Sequence, residues 1–218
     1  EGNIGEKGIE YIKGSTSYTE ILAANGYRCS LSGKWHLGNS QIPQKGFSSW
    51  YAHQKGGGDY YAAPMVRNGE AVIEDGYITD LITDHAMSCI KAAAEERVPF
   101  YASIHYTAPH TPWLNQHPKK YVALYDGCPF NSCLAEPLHP WSIFVDVPDA
   151  IPPTILDNRI EHLKGYYAAI TAMDANVGRI IAQLEALGLM EDTLVVFMSD
   201  NGFNCGHHGI WGKGNGTF

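Results

Sequence analysis

Repeated alternation of a helical stretch with a short apolar run constrains this chain more than any other feature. Ser17 and Glu20 form a capping box that opens a predicted helix over 18–25, closed by Gly26 in the C′ position. Residues 27–32 then alternate like a strand and run into a loop at Gly33. A second helix of about fifteen residues is predicted from Thr79, with Ile82, Ala86, Ile90 and Ala93 on one stripe, ending near Arg97 before Pro99. Residues 100–105 read as its strand. The longest helix is predicted over 159–187, with Ile160, Leu163, Tyr167, Ile170, Val177, Ile181, Leu184 and Leu187 as its apolar stripe and Gly188 beyond. Residues 193–198 form a continuous apolar run between Asp192 and Asp200, which fits a strand buried on both faces of a parallel sheet. Three such alternations point to an α/β fold.

Two long stretches interrupt the pattern. Residues 42–76 are rich in Gly, Pro and Tyr, include Gly56-Gly57-Gly58-Asp59, and show neither period, so irregular surface is expected. Residues 121–153 are broken by Pro129, Pro137, Pro140, Pro148, Pro152 and Pro153 and read as a second long loop.

The 218 residues lie between the one-domain and two-domain expectations, and 44% hydrophobic with 17% charged residues excludes wholesale disorder. No run approaches the ~18 apolar residues that span a bilayer, so a soluble chain without membrane contact is expected. A net charge of −8 argues against a non-specific grip on nucleic acid. An anionic ligand must then be held by a few concentrated cations. Five cysteines with no C-x-x-C exclude zinc-ribbon and thioredoxin readings, while Cys128 and Cys133 in one loop are open to either pairing or free thiols. The chain begins Glu1-Gly2-Asn3 and closes on a glycine-rich run to Phe218, so part of a longer protein is expected.

Ligands of open α/β sheets collect beyond the carboxyl ends of the strands. Those ends offer Lys34 and His36, then His110 on a turn made rigid by Pro109 and Pro112, then Asp200 and Asn201 with His207, His208 and Lys213 further on. Asp200 and Asn201 carry the hard oxygens that Ca²⁺ or Mg²⁺ prefers, although Asp-Asn-Gly is equally a common turn. Lys34 and Lys213 are point charges for a tetrahedral anion, and the histidines titrate near neutrality. The set suits transfer of a sulfuryl or phosphoryl group.

Gly33-Lys34-Trp35-His36-Leu37-Gly38, Ala108-Pro109-His110-Thr111-Pro112, Ser199-Asp200-Asn201-Gly202 and Gly206-His207-His208-Gly209-Ile210-Trp211-Gly212-Lys213, in that order, resemble successive motifs of the formylglycine-dependent sulfatases of the alkaline-phosphatase superfamily. The helix containing Tyr166 to Gly178 is similar to that family's long helix before the second metal motif. The resemblance implies a mixed, mostly parallel sheet flanked by helices, incomplete at both ends, with residues 1–218 forming part of a single catalytic domain. It implies that Lys34 and Lys213 bind sulfate oxygens, that His36 contacts the nucleophile and assists sulfate release, and that His110 protonates the leaving alcohol. By the same resemblance, Asp200 and Asn201 hold a divalent cation, usually calcium, and His208 faces the substrate. The implied substrate is a sulfated small molecule or glycan, and the implied location a secreted, periplasmic or lysosome-like compartment. A phosphoester hydrolase of the same superfamily and a non-catalytic remnant that binds sulfated glycans are the alternatives.

The family's C/S-x-P-x-R segment, whose Cys or Ser becomes the formylglycine nucleophile, is absent. Four positions before the five arginines stand Ala24, Ala63, Ala93, Ile155 and Ala175. No acidic pair matches the family's other metal ligands either. The isolated chain is therefore expected to be inactive and to hold calcium poorly. The nucleophile and the sheet's first strand are expected outside these residues.

Overall fold

A computed structural model describes residues 11–140 and 158–213. Helix α1 (Tyr18–Ala24) begins as its sequence requires: the Ser17 hydroxyl accepts from Glu20 N–H and the Glu20 carboxylate accepts from Ser17 N–H. Asn25 ends it, and Gly26 turns the chain back at φ +85°. Strand β1 (Arg28–Gly33) follows and pairs in parallel with β2 (Ser49–His53) on one side and β5 (Phe100–His105) on the other. Strands β3 (Ala63–Arg67) and β4 (Glu70–Glu74) continue antiparallel beyond β2. The order is β4-β3-β2-β1-β5, a mixed sheet.

Three strands thus replace the irregular surface expected over 42–76. Strand β2 has no visible period because both its faces are covered: Trp50, Tyr51 and Ala52 are fully buried and His53 nearly so. The β3–β4 turn carries Asn68 at φ 50° and Gly69 at φ 97°, the two positive-φ positions of a tight hairpin, so an Asn-Gly signal was present in the sequence.

Helix α2 (Ile78–Glu96) lies across the sheet and buries Ile78, Ile82, Ala86, Ile90 and Ala93. Its His85 bonds to the Ser32 hydroxyl at 2.7 Å and the Ser49 hydroxyl at 3.2 Å, joining the helix to β1 and β2. Short helix α3 (Lys119–Val122) runs into a 3₁₀ turn, Ala123–Tyr125, inside the second predicted loop. The rest of that loop is irregular to residue 140, and 141–153 lie outside the described residues.

Helix α4 (Arg159–Ala186) packs on α2, but only the end of the predicted stripe, at Leu184, takes part, beside Ile90. Only Leu163 and Leu184 of that stripe are buried, whereas Ile160 is 40% exposed. Its buried face carries Gly165, Ala168, Ala169 and Ala172, small residues that allow close approach, followed by Asn176 and Ile180. Asn176 Nδ2 donates to the Asp80 carboxylate of α2 at 2.7 Å, so the one polar residue of that face is satisfied.

The expected buried strand over 193–198 is not formed. Leu194, Val196, Phe197 and Met198 are 68–88% exposed and Val195 45%, and none pairs with the sheet among the described residues. An apolar run becomes a strand only when a neighbouring backbone takes its N–H and C=O groups, and among the described residues β5 has no partner on its outer side. A two-stranded ribbon follows, β6 (Asn204–Cys205) with β7 (Trp211–Gly212). All five cysteines are free, including Cys128 and Cys133, the latter 3.4 Å from the Tyr167 hydroxyl. Among the described residues, no helix is long and apolar enough to cross a membrane.

Candidate active site

Lys34 and His36 stand at the carboxyl end of β1 because Trp35, between them, is turned inward. Its ring meets Phe47 at 5.9 Å and Trp50 at 5.2 Å, edge-on, and Phe47 meets Trp50 at 5.6 Å. Each such pair contributes about 0.5–1.5 kcal/mol beyond area burial, enough to fix a six-residue loop to the sheet. Gly33 is required for the turn itself. Its φ is +115°, and a Cβ there would stand 1.9 Å from the His105 carbonyl oxygen.

Positive charge gathers at this end. Desolvation lowers the Lys34 pKa, the neighbouring Lys213 charge lowers it further, and Asp200 opposes both. His36 is lowered by desolvation first, then by Lys34 and Lys213, again with Asp200 opposing. His36 is exposed, and the shift favours its neutral imidazole. Lys34, His36, Lys213 and Asp200, widely spaced in sequence, therefore share one electrostatic environment.

His110 is half-buried. It sits between two cis prolyl bonds, Ala108–Pro109 and Thr111–Pro112. Its N–H donates to the Thr107 carbonyl at 2.8 Å, its carbonyl accepts from the Tyr60 hydroxyl at 2.8 Å, and its Nδ1 lies 2.9 Å from the Thr111 carbonyl. The glycine run predicted as irregular surface approaches both histidine-bearing loops. A Cβ on Gly56 would meet the His36 ring, and one on Gly57 would lie 3.8 Å from Thr107 Cγ2.

The glycines around His207 and His208 press on the preceding loop. Cβ atoms there would stand 2.9 Å from the Leu134 carbonyl oxygen at Gly206 and 2.0 Å from that of Pro137 at Gly209. His207 Nε2 donates to the Ser132 carbonyl at 2.7 Å, while His208 is exposed at φ 57°. Trp211 and Cys205 are buried with Trp113, which follows the His110 turn, and this packing carries Lys213 toward the other cations.

Asp200 and Asn201 are adjacent and exposed, and the Asn201 amide donates to the Gly202 carbonyl at 2.7 Å. Among the described residues no three acidic, His or Cys side chains converge on a point. A hard cation takes six or more oxygens, so these two donors do not by themselves fit one. Two residues that sequence reading left aside belong to this region. His53, at the end of β2, is 1% exposed, its Nε2 has no hydrogen-bond partner among the described residues, and burial together with the Lys34 charge lowers its pKa to about 4. His105 ends β5 directly beside Gly33. Their positions in strands, rather than in recognisable loop motifs, concealed them.

The chain matches the sulfatase family profile over residues 11–217. It belongs to the sulfatase family. This sulfatase chain is similar to an N-acetylglucosamine-6-O-sulfatase of Bacteroides thetaiotaomicron, 25% identical over 90% of this chain and 46% of that protein. It is also similar to an ulvan-active sulfatase of Formosa agariphila, 32% identical over 84% of this chain and 34% of that protein. The structure of BT4656 in complex with its substrate D-glucosamine-2-N,6-O-disulfate superposes with a TM-score of 0.69 at 23% identity, over 90% of this chain and 51% of that one. That likeness shows the shared fold, a mixed sheet flanked by helices. The sulfatase chain spans about half the length of these relatives or less.

Proposed function

We propose that the chain is part of the catalytic domain of a sulfuric ester hydrolase acting on sulfated carbohydrate. The observation that carries this reading is the shared field of Lys34, His36, Lys213 and Asp200 at the end of β1. Lys34 and Lys213 bind two oxygens of the sulfate group, and their charges stabilise the negative charge that develops there during transfer. His36, held neutral, accepts a proton as sulfate is released, and His110 donates one to the departing sugar oxygen. His208, on its exposed turn, meets the sugar.

Asp200 and Asn201 would supply two of the oxygens that hold a divalent cation, calcium by family resemblance, which would serve as a Lewis acid toward the sulfate group. The nucleophile is supplied from outside the 218 residues, which contain no C/S-x-P-x-R. The relatives that act on N-acetylglucosamine sulfate and ulvan support a carbohydrate substrate, as does a solved relative bound to k-i-k-neocarrahexaose.

The test is sulfate release by the full-length gene product from 4-nitrophenyl sulfate and from sulfated glucosamine and carrageenan oligosaccharides. Release from at least one, abolished in Lys34→Ala and Lys213→Ala, is the expected result. Faster turnover of 4-nitrophenyl phosphate would make it a phosphoester hydrolase, and binding of sulfated glycan without release would make it a non-catalytic binder.

A further inference from the structure

Lys34 can grip an anion only if its main chain is held still, and one residue holds both of its main-chain polar groups. Lys34 N–H donates to the His105 carbonyl at 2.8 Å, and the Lys34 carbonyl lies 2.8 Å from His105 Nδ1. The two backbones are also in contact at Gly33, where no Cβ fits against the His105 carbonyl oxygen.

The second bond fixes the state of the imidazole. A carbonyl oxygen only accepts, so Nδ1 carries the hydrogen, and in the neutral ring Nε2 is left as an acceptor. Ser103 Oγ, 3.1 Å away, therefore donates to Nε2. Having used its hydrogen, Ser103 Oγ accepts from the Tyr101 hydroxyl at 3.0 Å, which in turn accepts from the Tyr18 hydroxyl at 2.6 Å. Tyr101, Ser103 and His105 alternate along β5 and share one face. The result is a single directed chain of hydrogen bonds from the first residue of α1 to the carbonyl of Lys34, in which each member sets the donor direction of the next.

We propose that His105 is a positioning residue for Lys34, its Nδ1–H locking the Lys34 carbonyl so that the ammonium group meets a sulfate oxygen in one fixed geometry. This rests on the reading of Lys34 as a sulfate-binding cation. Without the imidazole the Lys34–Trp35 peptide plane is free to rotate and the ammonium spreads over several positions.

The test uses the full-length gene product with two readouts, the sulfate dissociation constant by calorimetry and kcat/KM for 4-nitrophenyl sulfate, with Tm as the control for folding. His105→Ala is expected to weaken sulfate binding and lower kcat/KM about tenfold each. His105→Asn, whose amide nitrogen falls where Nδ1 was, restores both to within about threefold. His105→Gln, whose amide falls where Nε2 was, does not. Wild-type values in His105→Ala, or equal values in the Asn and Gln variants, would overturn the proposal. Should the His105 variants fail to fold, Ser103→Ala decides: sulfate binding weakened about threefold supports the chain, and unchanged binding overturns it. Lys34→Ala separates the two levels. If it leaves sulfate binding intact, the reading of Lys34 fails and the positioning role with it; if it weakens binding while His105→Ala does not, the positioning role alone fails.

Discussion

Gly56 lies against the His36 imidazole so closely that a Cβ there would stand 2.9 Å from Nε2, 3.1 Å from Cε1 and 3.2 Å from Cδ2. His36 holds a left-handed backbone at φ 58°, and the bare glycine leaves its ring a place to rest. The obstructed atoms are the end of a side chain rather than backbone. Gly56→Ala therefore shifts the ring instead of breaking the fold. In the full-length gene product, kcat for an aryl sulfate is expected to fall about tenfold or more while Tm moves by no more than ~2 °C. Unchanged kcat would show that His36 tolerates displacement.

Two glycines of α4 are expected to respond in opposite senses. A Cβ at Gly165 would stand 2.4 Å from the Trp113 carbonyl oxygen and 2.8 Å from its Cβ, forcing the helix off the loop that follows His110. Gly165→Ala is expected to destabilise by about 1–3 kcal/mol. At Gly178 a Cβ meets nothing within 4 Å, so Gly178→Ala gains the usual helix preference of about 0.5–1 kcal/mol. Urea unfolding of both variants checks the pair, and equal signs would contradict the close approach at Trp113.

Acid is expected to destabilise the fold through its buried histidines. The pKa values of His53, His85 and His117 are each lowered to about 4, by desolvation first in every case, with Lys34 adding to the effect at His53 and Arg67 at His85. The folded state keeps them neutral, whereas the unfolded chain protonates them near the ordinary 6.5. Their contribution is thus flat above about pH 7, is lost as pH falls from about 6.5 to about 4, and levels off below. Three protons taken up on unfolding correspond to at most about 4 kcal/mol per pH unit in mid-range. Denaturant midpoints between pH 7.5 and 4.5 test this, and a midpoint independent of pH would refute it.

The exposed run over 194–198 is expected to make the isolated 218-residue chain sticky. Five consecutive exposed apolar residues, together with a β5 edge that has no partner among the described residues, form aggregation-prone surface. Val196→Lys should reduce light scattering and binding of an apolar dye in this chain without lowering its Tm. A loss of several degrees would instead mean that Val196 packs into a core.

The legible part of this protein was local. The capping box at Ser17, the stripe of α2 and the catalytic candidates in their loop motifs depend on residues a few positions apart, and each could be read from the sequence. Strand β2 was hidden because burial of Trp50 and Tyr51 on opposite faces erases alternation, and the face of α4 was misjudged because close packing selects Ala and Gly over larger residues. The run 193–198 shows the converse error: its composition was that of a buried strand, but strand formation depends on a partner backbone.

By itself the sequence determined the caps of α1 and the order of the motifs, and it named Lys34, His36, His110, Asp200, Asn201, His208 and Lys213 as candidates. Only the tertiary structure decided what supports them. Contacts between Gly56 and His36, or between His105 and Lys34, join residues 20 and 71 positions apart, and no local pattern encodes them. They arise because parallel pairing of β1 with β2 on one side and β5 on the other brings three strand ends to one edge, where hydrogen bonds and the missing volume of a side chain fix what the chain's order leaves open.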